Sequence, residues 1–435
     1  MRIAPRWLTF LLKSPKNPTN TSLALLGSIV NNFFSWISYL WHILLLIMAS
    51  PSSDTAIREL NVLVSSVAAL LTQLEATLTG LSKQAKAASA TVKKPASDID
   101  SLRLASDSAA LIKSHTTKLS LLIITEPFTP SAICKVLREL VSGPVPGLAA
   151  AAEACDFARY TADFSHAMIM KCHIALQNLR AFVMKIPSDG KALSAEEQQA
   201  SSDGSGKGSM PMTGIVWAAC DQVVSFCREG VSGYYVKKVE ETRLTLKDIM
   251  EELKEWSEEQ EDDEDDDDFA DEASRADLDS AVDVNDSGVN GPTTGAGAAQ
   301  AVLDSLMNST KTIPRDDPQN IRGKLDVCLR RLRLSTILCQ AVTKRRLKAA
   351  PTFPVDDPAI VRRLERGIAA LRELPNQFED ATVAFYDLDC AGIDAGMEVC
   401  VKEAVGVAKT LDKSWTGGAD EFTEWAVKFE EQMRK

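Results

Sequence analysis

The sequence is short of aromatic residues, of histidine and of positive charge. Aromatics make up 6% of 435 residues, and seven of the twenty-six lie in the first 47. So thin a supply disfavours an all-β sandwich and suits helical bundles packed with Leu, Val and Ala. There are four histidines, at 42, 115, 166 and 173, so acid–base catalysis has few candidates. No HExxH, nucleophile elbow or dinucleotide-binding fingerprint occurs. The formal charge of −12 argues against wholesale binding of nucleic acid. No CxxC is present, and the nine cysteines are an odd number. Free, mostly buried thiols in a reducing compartment are the expectation.

What the chain does contain falls into unlike parts. Residues 23–47 form an uncharged stretch long enough to cross a membrane, preceded by Arg2, Arg6, Lys13 and Lys16. Met48-Ala49-Ser50-Pro51 reads as a natural start, so residues 1–47 are taken as an upstream hydrophobic leader. A signal-anchor or a targeting peptide is the alternative.

Beyond it, Ile57, Leu60, Val64, Val67, Leu71, Leu74, Leu78 and Leu81 alternate spacings of three and four. That heptad seam predicts a long helix over 55–90 with one face buried. Further helices are expected over 98–124, 130–142, 148–186 and 212–257, with Gly230 and Gly233 bending the last. Residues 244–253 are expected to pack within the N-terminal bundle, and Trp217 to anchor its core. A flexible insert is read over 187–210 and an acidic disordered linker over 258–295. Helices resume at 298–309, 321–348, 358–387 with a break at Pro375, 391–412 and 418–434. The fold class is all-α, with two helical bundle regions, 54–257 and 296–435, joined by the acidic linker.

The charge is local. Residues 257–288 hold sixteen acids and one Arg, a net of −15, whereas 321–348 holds nine basic residues and one acid. Within the latter, Lys344, Arg345, Arg346 and Lys348 form a candidate nuclear-import signal. The acid run folding back on this face, or nucleic-acid phosphate, are alternative partners, and a solvated helix face is the plain reading. Asp387, Asp389 and Glu398 occupy positions 1, 3 and 12 of an EF-hand-like pattern with Gly392 at position 6, but Ala391 leaves position 5 without a ligand. The plain alternative is a polar turn between helices, so no metal site is assigned. His166 and His173 are read as partly buried histidines, and Gly204–Ser209 lacks the spacing of a phosphate loop. No catalytic residue and no cofactor is expected.

The stretch Thr213-Gly-Ile-Val216-Trp217-Ala-Ala-Cys220-Asp221-Gln222, the helix Leu246-Lys-Asp248-Ile-Met-Glu-Glu-Leu253 and the acid run after it resemble the central region of the cyclin-D-binding protein (GCIP) family, of which this would be a divergent member. Leu371-Arg-Glu-Leu-Pro375 and Phe378-Glu-Asp380-Ala-Thr-Val-Ala-Phe385-Tyr386 follow in the expected order. The resemblance implies an all-helical, non-enzymatic protein of cytoplasm and nucleus. Family members are helix-loop-helix-type regulators of the cell cycle without a DNA-binding basic region. They bind other proteins, including D-type cyclins, and the family offers no catalytic residues to carry over. Direct nucleic-acid binding is not expected, membrane contact only if residues 23–47 are retained, and the oligomeric state is open. A vinculin- or talin-like structural adaptor and a membrane-anchored helical protein are the rival readings.

Overall fold

The computed structural model describes residues 53–87, 99–199, 208–262 and 313–435. The leader, the helix expected at 298–309, the Gly204–Lys207 stretch and most of the acid run lie outside the described residues. Among the described residues every regular element is helical, so the chain is all-α.

The first part of the chain builds α1 (Ser53–Ala87), α2 (Ser101–Ile124), α3 (Pro130–Ser142), α4 (Pro144–Ala154), the single turn α5 (Phe157–Tyr160), α6 (Ala162–Val183) and the single turn α7 (Ala195–Gln198). α8 (Ser209–Asp262) follows, then α9 (Ile321–Val342) with a π-helical turn at Thr343–Leu347, α10 (Pro358–Tyr386), α11 (Cys390–Thr410) and α12 (Glu421–Arg434).

The heptad seam of α1 is buried as its spacing requires. Leu60, Leu71 and Leu78 are fully covered, each contributing about 1.5–3 kcal/mol relative to exposure. α1 is apolar and long enough to cross a membrane by length and composition alone. Its apolar face, however, packs on α6 and α3.

The helix expected over 148–186 is three pieces. Asp156 turns its carboxylate back on the amide of Ala158 to start α5, and Thr161, at φ 125°, turns the chain into α6. A β-branched residue rarely adopts that conformation. Here Thr161 Oγ1 accepts hydrogen bonds from the Phe164 amide and, at 2.9 Å, from the Tyr235 hydroxyl. The described residues of the insert at 187–210 are held in place. Asn61 Nδ2 donates to Ser188 O, Leu193 N donates to Ile123 O, and Ser194 with Glu197 closes a capping box on α7.

α8 sets the architecture. Its backbone is helical throughout except at Gly230, with φ 61° and ψ −170°. The expected bend is therefore at Gly230, while Gly233 stays helical. The first limb packs on α2 and α6: Thr213 Oγ1 donates to Ser120 Oγ, Lys113 pairs with Asp221 at 2.7 Å, and Phe226 stacks on Phe164 at 4.5 Å. The second limb packs on α9 and α10. Trp256 meets Tyr386 edge-on at 5.4 Å, and the Tyr386 hydroxyl donates to Glu252. Residues 244–253 thus belong to the C-terminal group of helices, contrary to expectation. Within that stretch Leu246, Ile249 and Leu253 are buried and Leu244 is exposed. Ile337 on α9 is also exposed.

Pro375 does not break α10. The helix runs unbroken to Tyr386 with Leu371, Leu374 and Phe378 fully buried around the proline. An interior proline costs about 3 kcal/mol. The three buried side chains more than offset it. α10 and α11 approach closely because glycines line the seam: a Cβ on Gly396 would lie 3.2 Å from the backbone of Ala381.

Beyond the shared helix, backbone and side-chain contacts tie the two groups together. Val355 N donates to Arg159 O, the Ala162 amide donates to the Glu365 carboxylate, and Arg372 pairs with Asp163 at 3.2 Å. Burial pushes the Glu365 carboxyl above its usual range.

Alanine at Gly230 must adopt a conformation open essentially to glycine alone. Gly230→Ala is expected to lower stability by about 1–3 kcal/mol, read as a lower thermal midpoint by circular dichroism.

Candidate protein-interaction surface

Arg346, one of four residues proposed for nuclear import, is 1% exposed. The π turn carries it inward, and all five of its N–H donors are used. Nε donates to Leu411 O at 2.6 Å, and Nη1 to Arg345 O and Asp420 Oδ2. Nη2 donates to Asp412 O and to Asp420 Oδ1 at 2.8 Å. The guanidinium lies 4.3 Å over the Phe422 ring. Arg345 is held by Glu421, leaving Lys344 and Lys348 as the exposed members. A receptor reads a basic motif from side chains it can reach, and here the third residue is the bolt of the C-terminal bundle. The import reading is corrected accordingly.

Asp420, which caps α12 in a box with Thr423, accepts both arms of that fork. Its hydrogen bonds from Arg346 hold the carboxyl down at about 2.

The EF-hand-like pattern is likewise not a loop. Asp387, Leu388 and Asp389 are the only residues between α10 and α11, and Glu398 is an exposed residue two turns into α11. Eight helical residues separate Cys390 from Glu398, about 12 Å of rise. The carboxylates therefore do not converge, and Asp394 is taken by Lys324 at 2.6 Å. Among the described residues no group of three or more His, Cys, Asp or Glu side chains is placed to hold a metal ion. His166 and His173 are half-buried on α6, with His166 Nε2 3.4 Å from Ser82 Oγ.

All nine cysteines are free thiols and eight are buried. Burial pushes Cys155, Cys220, Cys227, Cys328, Cys339 and Cys400 up to about 12. Cys390, at the first position of α11, is partly exposed, with Lys324 Nζ 2.7 Å from its sulfur.

A shallow, open groove of about 410 Å³ lies on the outer face of α8, bounded by Lys171 of α6. Phe226 forms its floor, with Lys171 Nζ 5.5 Å above the ring. Asp221 stands at one end, fixed by Lys113, and Glu229 and Lys237 pair at 2.6 Å across the bend at the other. The bend at Gly230 therefore closes one end of the groove. Trp217 lies one turn before Asp221 on the same face and is 37% exposed. Expected as a core anchor, it is instead a surface aromatic, while its neighbours Val216 and Cys220 fill the core. An exposed tryptophan beside a mostly polar groove with charges of both signs suits the docking of a protein surface. No histidine or cysteine lines the groove. Periodicity alone placed this face on a buried helix. The exposed run Trp217, Ala218, Asp221 and Gln222 on one side of α8 was the signal available for finding it.

Residues 105–259 match the family model described as Grap2 and cyclin-D-interacting, N-terminal. The resemblance to that family carried by the Val216–Gln222 and Leu246–Leu253 motifs thus holds over a stretch reaching from α2 to the last turns of α8 and including the groove on α8. No curated protein matches the chain.

Two outcomes are expected. Iodoacetamide applied to the native chain labels Cys390 first and spares the other eight until unfolding, as peptide mass mapping would show. Because the carboxyl of Asp420 is depressed on folding, its stabilising effect is present above pH 4 and fades as pH falls toward 2. The gap in thermal midpoint between wild type and Asp420→Asn should therefore narrow across that interval.

Proposed function

We propose that the chain is a non-enzymatic helical regulator that acts by binding other proteins in cell-cycle control, with a D-type cyclin as partner and the groove on α8 as the contact. A helix-loop-helix protein is a second partner class that the family resemblance brings. The reading places the protein in cytoplasm and nucleus, without direct binding to nucleic acid.

The observation that carries it is the coincidence of the cyclin-D-interacting family match with the exposed Trp217 and the Phe226-floored groove. Tryptophans at interfaces are among the residues where binding energy concentrates.

Calorimetric titration of the purified chain with purified cyclin D should give saturable binding. Trp217→Ala combined with Lys171→Glu should weaken it about tenfold or more, equivalent to about 1.4 kcal/mol, with the thermal midpoint of the chain unchanged. No saturable binding would overturn the cyclin reading. Full affinity in the double variant would overturn the groove as the contact.

A further inference from the structure

α9 and the π turn present a row of cations that the fold leaves unused. Arg330, Arg333, Lys344 and Lys348 are exposed, and with Ile337 they are spaced 3, 4, 7 and 4 residues apart, along one side of the helix. Among the described residues none of these four cations has an ion-pair partner, whereas neighbouring Lys324, Arg345 and Arg346 pair with Asp394, Glu421 and Asp420. Beside the row, Arg331 is half-buried and its Nε has no hydrogen-bond partner.

We propose that this row is the dock of the chain's own acidic stretch, residues 263–272. Three observations favour that occupant. First, charge: residues 263–272 carry eight acids and no base. Second, position: α8 ends at Asp262 and its second limb lies against α9, so the stretch leaves from a helix that neighbours the one carrying the row. Third, reach: eighteen helical residues from Arg330 to Lys348 rise about 27 Å. Ten extended residues span up to about 35 Å. The stretch also brings one aromatic, Phe269, to a row whose one exposed apolar member is Ile337. A tether of this kind supplies an effective concentration on the order of millimolar, so weak individual pairs suffice. Exposed charges are screened by salt, and docking weakens as ionic strength rises. The stretch then acts as a built-in competitor: an acidic partner reaches α9 only by displacing it.

The test uses the full chain and a fluorescent synthetic peptide of residues 263–272. Anisotropy titrations at low salt compare wild type with a full-length variant in which the eight acids are Asn or Gln. The neutralised chain should bind the peptide about tenfold tighter or more, since its row is vacated. On that background, Arg330→Glu with Arg333→Glu should abolish binding, and the milder Arg330→Gln with Arg333→Gln should weaken it. Equal affinity of the two chains, or no binding to the neutralised chain, would overturn the proposal. So would binding that survives the arginine substitutions. Sedimentation tests the remaining source: a wild-type dimer that the neutralisation dissolves would show that the acids dock on a second copy, and would also overturn it.

Discussion

One glycine conformation lets a single helix serve two groups of helices. With φ 61° and ψ −170°, Gly230 turns α8 so that its first limb lies on α2 and α6 and its second on α9 and α10. No other residue type adopts that geometry without strain. The hydrogen bonds and ion pairs between the two helix groups then form around a direction already set. Thr161 completes the junction from the other side, its strained backbone held by Tyr235, five residues past the bend. The groove follows from the same constraint, since Glu229 and Lys237 face each other across the bend.

Charge plays two different parts in this molecule. Inside the C-terminal bundle, Arg346 is wholly spent on holding carbonyls and Asp420 together. A buried guanidinium is tolerable only because every donor is satisfied; removing the partner of such a pair typically costs 3–5 kcal/mol, on the order of a large core deletion. On the surface, exposed pairs are worth at most about 1 kcal/mol. There the basic residues of α9 act on encounter and competition more than on stability. The same short run of sequence, 344–348, therefore mixes a structural cation with free ones.

Local patterns were legible where a single helix decided its own fate. The α1 heptad, the proline-started α3, the bend at Gly230 and the all-α class follow from spacing and from residue chemistry within a few positions. What was not legible depends on distant contacts. Trp217 and Val216 look equally core-like in sequence, and only the placement of α2 and α6 assigns one to the surface and one to the interior. Pro375 reads as a breaker until burial around it outweighs the lost hydrogen bond. The acids at 387, 389 and 398 have loop spacing, but α11 begins at Cys390 and spreads them along a rod. Arg346 looks like part of a surface signal because nothing nearby in sequence announces Asp420, seventy-four residues on. The groove is the product of two helices and a bend, which no one-dimensional period contains.

The shared helix also bears on what can be cut from this protein. The stretch 105–259 begins partway along α2 and ends in the second limb of α8. Excised by itself, it would lack α1, which covers α6, and would carry Leu246, Ile249, Leu253 and Trp256 with none of α9 or α10 against them. A helix end with four naked apolar side chains favours self-association over solubility. The matched stretch therefore cuts across the packing of α8, and a fragment meant to stand alone would have to respect that packing on both sides of the bend.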